Sequence, residues 1–442
     1  MGDLHPGELR EEACELLQRL IRLDTVNPPG NERPAQELLA AHLEAAGLSC
    51  ELLGATGERP NLIATLDSGR EGPTLGLLGH TDTVLAQAAD WTHGPWSGQI
   101  ADGCIWGRGA IDMKSQVAAE SVAAASLARS GWRPASGRLL VLAVVDEETG
   151  GRLGAQWLTR EHPAKVRCDM LINEGGGAAF EYGGRRRYGV SCAEKGVFRF
   201  IVRVRGVAAH ASTPEMGSNA LLAIAPLLER FAKRQPSPLI GEQAQQLLRA
   251  LGEDPSDPEA ALESMRRRNA ALLPLLKPVL GITFTPTMIT ASAKMNVIPA
   301  TCELRVDCRV PPGVGREAVE AAIAEVLGDA EAQGFEIEFT EQVEGNSSPA
   351  HSPLMDAIRR WVAKHDRLGS VVPATMPGFT DSRHFRAAFP ECVAYGFFPQ
   401  RHRGLLESWP LIHGADERID IRDLELATSC YVELIRALLS RT

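Results

Sequence analysis

Histidines and carboxylates recur along this 442-residue chain where short apolar runs stop. Thr74-Leu-Gly-Leu-Leu-Gly-His80-Thr-Asp82 sets a histidine and an aspartate just past such a run. His80 could ligate a cation there while Asp82, two residues on, orients its ring; taken alone, the pair fits a turn histidine and a solvated aspartate better. Gly107-Arg-Gly-Ala-Ile-Asp112-Met-Lys114 leads into an Ala-rich stretch, and Asp112 at that junction suits cation bridging and helix capping about equally. The motif opens like a dinucleotide fingerprint, but its sixth position is Asp112 and no acidic residue stands in the expected place after a first strand. Asp146-Glu147-Glu148-Thr-Gly-Gly crowds three acids together. That is costly unless cations or hydrogen bonds compensate, although an isolated acidic turn reads the same way. Met170-Leu-Ile-Asn-Glu174-Gly-Gly-Gly repeats the arrangement, with glycines that make a turn, since the Lys-Ser/Thr of a phosphate loop is missing. Leu411-Ile-His413-Gly-Ala-Asp-Glu417 adds a late histidine beside a turn. Two histidines and three carboxylates, one able to bridge, form the donor inventory of a two-cation hydrolytic centre.

Such residues must be held by a sheet. Residues 61–66, 74–78, 139–145 and 170–172 are apolar runs, and the spacing predicts helices over 8–23, 34–46 and 116–130. Continuous apolar strands alternating with helices predict an α/β fold with a largely buried mixed sheet, and in open sheets ligands bind at the strands' C-terminal ends. Near Val190 the pattern changes. Phe198, Phe200, Val202 and Val204 alternate with Arg199, Arg203 and Arg205, and 301–310 alternates again, which predicts a sheet with one wet face. Helices over 219–233 and 316–327 and a strand over 335–339 complete a smaller α+β domain at 190–346. A helix over 353–364 and a buried strand over 392–398 resume the first pattern, so the chain reads as 1–189 and 347–442 in one domain interrupted by 190–346. Helical pieces over 237–280 have no assigned role.

Gly-His80-Thr-Asp82, Gly-Arg-Gly-Ala-Ile-Asp112-Met-Lys, Asp-Glu147-Glu148-Thr-Gly-Gly, Asn-Glu174-Gly and His413, in this order, resemble the M20 metallopeptidases. That group holds aminoacylases, acetylornithine deacetylase, succinyl-diaminopimelate desuccinylase and glutamate carboxypeptidase. The resemblance runs from about residue 10 to the C-terminus. It implies one metal on His80, Asp112 and Glu174 and another on Asp112, Glu148 and His413, with Asp112 bridging. Glu147 takes the general-base position and Asp82 the position behind His80. The inserted domain is similar to the family's ferredoxin-like lid and dimerisation domain. His210 in Gly206-Val-Ala-Ala-His210-Ala-Ser matches an oxyanion-supporting residue, with helix capping as the competing role. Asn296 in Asn-Val-Ile-Pro and Arg309 resemble substrate contacts, Arg309 for a free carboxylate. Gly378-Phe-Thr380-Asp381-Ser-Arg matches a Gly-Gly-Thr-Asp substrate loop, with Phe379 departing at its second position, and Gly378 and Thr380 fall at substrate-binding places.

The resemblance implies hydrolysis of an amide bond in a small N-acyl amino acid or dipeptide with a free carboxylate. An N-carbamoyl amino acid amidohydrolase or an inactive binding homologue is the alternative. Two divalent cations are implied; imidazole and carboxylate donors suit zinc, and also cobalt or manganese. Composition bounds the rest. With 46 Lys and Arg against 56 Asp and Glu, the net charge of −10 argues against nucleic acid and anionic membranes as partners. Arg185-Arg186-Arg187 and Arg266-Arg267-Arg268 read as solvated surface. No run reaches the roughly 18 apolar residues of a membrane span, and the polar, acidic start is unlike a secretory signal. Nine scattered cysteines without a CxxC pair read as free thiols in a cytoplasmic protein; the resemblance, separately, implies a homodimer through the lid domain. Trp91, Trp96 and Trp106 read as packing, and His384 as a candidate to line the pocket.

Overall fold

The computed structural model describes residues 6–440. It forms two units: one made of the chain up to Cys192, Ser348–Ala374 and the chain from Thr380 on, the other of Ala193–Ser347 and Thr375–Phe379.

In the first unit the apolar runs become strands. Four of them, Arg138–Val144, Thr74–His80, Met170–Asn173 and Val393–Gly396, lie side by side and parallel. Asn61–Asp67 and Ser49–Leu53 add antiparallel neighbours on one side, and Arg185–Glu194 adds one on the other. The mixed α/β class is thus the observed one. Thr74–His80 is buried at every residue because helices cover the sheet. The Ala-rich helix Lys114–Arg129 packs on this strand and on the helices Pro6–Ile21 and Ile421–Leu439. It is buried at every position from Lys114 to Ala128, so only small side chains fit most of its faces.

Gly79 shows how tight that packing is. A Cβ there would stand 2.6 Å from Cγ2 of Val117, on the helix that follows Asp112, and 2.9 Å from Cε of Met113, at that helix's N-cap. Gly79→Val is therefore expected to lose roughly 1–3 kcal/mol of stability by overpacking. A urea midpoint equal to that of the unsubstituted protein would contradict this close approach.

The second unit runs strand, helix, two strands, helix, strand. Its sheet order is Thr283–Thr290, Thr301–Val310, Phe200–Arg205, Phe335–Phe339, all antiparallel, which is the ferredoxin-like split arrangement. Phe200, Val202, Val204, Leu304 and Val306 bury one face with residues of Ala225–Lys233 and Arg316–Leu327. The wet face carries ion pairs between strands, Arg203 to Glu303 at 2.8 Å and to Glu338 at 2.7 Å, and Arg205 to Glu336 at 2.7 Å.

Several expectations need adjustment. The helix over 219–233 is broken into Ala220–Ala223 and Ala225–Lys233, because Pro226 starts a second helix. Residues 375–379 interrupt the last segment of the first unit: Met376 O accepts from the Lys195 amide, and Arg309 lies over the Phe379 ring. Arg186 is not solvated surface, since Asp366 holds it at 2.7 Å on the strand Arg185–Glu194. Residues 237–280 contain the helices Glu242–Leu251 and Pro258–Asn269, and the Lys195 ammonium ties the segment's end by donating to Pro278 O and Gly281 O, each at 2.7 Å.

Candidate metal centre

Parallel strands put their C-terminal ends on one edge of the sheet. His80 ends one strand, in register with Val144 of the next, and Glu174 follows the third. Beyond Val144 the chain turns through Asp146, whose φ of 72° is left-handed, into the single turn Glu147–Thr149. Asparagine and aspartate tolerate that conformation because their side chains bond the local backbone. Here Asp146 accepts from Thr149 Oγ1 at 2.6 Å and the Leu153 amide at 3.1 Å.

Asp82 is fully buried behind this turn. Its Oδ1 accepts from the Glu147 amide and its Oδ2 from the Glu148 amide, both at 3.2 Å, and Oδ2 also accepts from Asn27 Nδ2 at 2.8 Å. Burial opposes its charge, but hydrogen bonds from His80, Asn27 and the Glu148 amide keep its carboxyl below the usual range. The His80 ring is held more closely by the Asp82 backbone carbonyl, 3.0 Å from Nδ1, than by the Asp82 carboxylate at 3.5 Å. Asp82 therefore sets the Glu147–Glu148 turn as much as it orients the ring. With Nδ1 so engaged, Nε2 faces the carboxylates.

Asp112 lies between the two histidines. Its Oδ1 is 3.1 Å from His80 Nε2 and its Oδ2 is 3.1 Å from His413 Nε2. Glu174 Oε1 stands 3.8 Å from His80 Nε2, and Glu148 Oε2 stands 3.3 Å from His413 Nε2. Among the described residues, His80, Asp112 and Glu174, and Asp112, Glu148 and His413, each bring one donor atom apiece within 4.8 Å of one another. Glu148 Oε1 is buried with no hydrogen-bond partner. A buried, unpaired carboxylate oxygen is costly by itself and suits a cation.

The charges point the same way. The carboxylates of Asp112 and Glu148 push His413 up to about 10, and Asp112 and Asp82 raise His80 against its burial. Asp112 in turn lies well below the usual range despite burial, because both histidines favour its charge. Burial and the nearby acids raise Glu174. Protons on the imidazoles compensate this crowd of carboxylates, and divalent cations on the same atoms would do so more fully. Glu147 belongs to neither group. Burial, with Asp381, Glu148 and Asp112 nearby, pushes its carboxyl well above the usual range.

Three contributors had no role assigned from the sequence: Asn27, Asp146, although it stands in the acidic turn, and Glu417. Glu417 is fully buried; its Oε1 accepts from the amides of Ile111 at 2.6 Å and Asp112 at 2.9 Å. Burial raises its carboxyl against the pull of Arg108 and these amides. The only signal in the sequence was its place four residues after His413. Trp91 and Trp106 are packing residues, covered by Arg108 and Arg418. His384 is buried, and burial with Arg383 lowers it to about 4.

Thr380 is also in the first unit, where its hydroxyl accepts from Asn173 Nδ2 at 3.1 Å. His210, Asn296, Arg309 and Gly378 are in the second. His210 is exposed and caps no helix: it pairs with Val297 in a two-residue strand, and its Nδ1 meets Ser212 Oγ at 2.7 Å. The Ala211 amide donates to Asn296 O at 3.0 Å, which sets the His210 and Asn296 segments side by side. Arg309 is not free, for Asp307 accepts from its Nε at 2.8 Å.

The chain matches the sequence model of Peptidase family M20/M25/M40 over residues 76–437. A succinyl-diaminopimelate desuccinylase of Cereibacter sphaeroides is 28% identical over 430 residues, covering 94% of this chain and 96% of that protein. Among solved structures, an M20 family metallo-carboxypeptidase of Sulfolobus solfataricus superposes with a TM-score of 0.71 at 17% identity, over 97% of this chain and 99% of that one. Human carnosine dipeptidase 1 gives 0.68 at 15% identity, over 98% and 97%. At these identities the structural likeness is one of fold.

Proposed function

Because the chain belongs to Peptidase family M20/M25/M40, and is thereby a hydrolase acting on amide bonds, we propose that it cleaves a small N-acyl amino acid or dipeptide bearing a free carboxylate. The observation that carries this reading is Asp112, whose two oxygens each meet one histidine Nε2 at 3.1 Å. The residues fit two divalent cations, one on His80, Asp112 and Glu174, the other on Asp112, Glu148 and His413. When bound, such cations acidify a water and polarise the amide carbonyl. Nitrogen and oxygen donors at these positions suit zinc, with cobalt or manganese also compatible.

The chain's own residues do the rest. A Glu147 carboxyl oxygen takes the water's proton and delivers it to the leaving nitrogen. Glu147 is in neither donor group, which leaves its carboxylate for that proton. Asp82 fixes the turn that aims Glu147 and Glu148. In this proposal the second unit is a lid and dimerisation domain: His210 supports the oxyanion, Asn296 and Gly378 contact the substrate, and Arg309 binds its carboxylate; Thr380, of the first unit, is a further substrate contact. Asp307 holds Arg309 through Nε and Nη2, which fixes the fork while leaving Nη1 for an anion. Arg309→Ala is expected to raise KM for carboxylate substrates roughly 10- to 100-fold with little change in kcat. An unchanged KM would reject the anchor.

Dimerisation draws support from the apolar residues Met216, Leu222 and Met288 that the second unit exposes. A cytoplasmic setting is supported by nine free cysteines, eight of them buried. Among the described residues no helix is long and apolar enough to cross a membrane.

The deciding assay offers N-succinyl, N-acetyl and N-carbamoyl amino acids and dipeptides side by side, before and after exhaustive chelation. Cation-dependent release of a free amine from N-acyl substrates is expected, and the desuccinylase relatives put N-succinyl compounds first. Turnover confined to N-carbamoyl substrates, or surviving chelation, would overturn the reading.

A further inference from the structure

Glu417 is in neither donor group, yet it grips the 107–112 segment that ends in Asp112 and, through Arg108, the turn that carries His413. Its Oε1 accepts from the amides of Ile111 and Asp112, and its Oε2 accepts from the Gly109 amide at 3.1 Å and from Arg108 Nη1 at 2.7 Å. The Glu417 carbonyl accepts from the Gly107 amide at 2.9 Å. Arg108 continues the clasp, since its Nη2 donates to the carbonyl of His413 at 3.3 Å and to that of Leu85 at 3.1 Å. The strand Arg418–Asp420 pairs with Cys104–Trp106, so the two segments leave this clasp in register. A carboxylate that accepts three backbone amides of one loop fixes that loop's path. The amide at the end of the path belongs to Asp112, the residue shared by both donor groups.

We propose that Glu417 is a positioning residue for the cation pair. By clasping residues 107–112 against the His413 turn, it holds the two Asp112 oxygens in the one orientation that serves both histidines, and it thereby sets the affinity for both cations. This rests on the two-cation reading above. It goes further in assigning a buried acid, outside the donor set, to the coupling of the two groups.

The test measures Zn2+ binding to the chelator-stripped full-length protein by competition with a chromophoric chelator. If the unsubstituted protein binds no Zn2+, the two-cation reading itself fails. If it binds two, Glu417→Gln is expected to weaken both by roughly 10- to 100-fold, the usual cost of losing a partner behind a metal ligand, with circular dichroism unchanged. A glutamine presents an N–H to one of the amides and cannot complete the clasp.

Asp423→Asn supplies the matched control. Asp423 is as buried and also accepts three backbone amides, those of Arg401, His402 and Arg403, in a loop that carries no donor. It is expected to lower Tm without changing Zn2+ affinity. Should Glu417→Gln fail to fold, Arg108→Lys takes its place, keeping the charge and losing the fork that spans Glu417 and the His413 carbonyl. A folded Glu417→Gln or Arg108→Lys protein that binds two Zn2+ with unaltered affinity would overturn the inference, as would an equal loss in Asp423→Asn.

Discussion

Glu147→Gln is expected to lower kcat by roughly 10²- to 10⁴-fold, the usual worth of a positioned general base, while both cations still bind. The substitution keeps the shape of the side chain and removes its ability to take a proton. Glu147 is in neither donor group, so its loss should leave the stoichiometry of bound cation unchanged and KM close to its original value. Its surroundings explain why this acid, of two adjacent ones, can serve. The Asp82 carboxylate pins the amides of both Glu147 and Glu148. From that shared turn Glu148 reaches His413, while Glu147 is in neither donor group; burial and the acids Asp381, Glu148 and Asp112 raise its carboxyl, and His80 pulls it down. Calorimetric counting of bound cation beside steady-state kinetics separates the two roles. Turnover within about tenfold of the original would remove Glu147 as the base, and loss of a cation would make it a ligand.

The sheet and its loaded edge were legible because both follow from local pattern. Uninterrupted apolar runs over 74–78 and 139–145 must be buried on two faces, and a polar residue ending such a run must emerge at a strand end. His80, Glu147, Glu148 and Glu174 all obey that rule. Short strands were harder. Gln99–Ala101 and Cys104–Trp106 pair with each other, and Arg418–Asp420, some three hundred residues later, adds a third strand beside the second of them. Three-residue segments carry almost no periodicity of their own. The supporting polar residues were invisible for a related reason. Asn27 stands beside two prolines and reads as a loop residue, yet its side-chain amide donates to both Asp82 and Asp146. Arg309 could be picked out as a cation, but not as one already paired with Asp307, since the pairing depends on how two residues of one strand orient their side chains.

Asp112→Ala is expected to abolish binding of both cations and to reduce turnover to less than about 10⁻³ of the original, since the cations' contribution of several kcal/mol disappears. Glu174→Ala and His413→Ala should each weaken one cation and spare the other, because each belongs to a single group. Thermal melts read this difference without any substrate. A cation that binds only the folded chain stabilises it by RT ln(1 + [L]/Kd), about 2.7 kcal/mol at a hundredfold excess over Kd. The original protein should therefore gain Tm on addition of Zn2+, the single-group variants should gain less, and Asp112→Ala should gain nothing. The substitution leaves the Asp112 amide in place, so the Glu417 clasp on the backbone survives it. Loss of cation binding in Asp112→Ala then reports on the carboxylate itself. If Asp112→Ala retained one cation at full affinity, Asp112 would serve a single group, and the two sites would be independent.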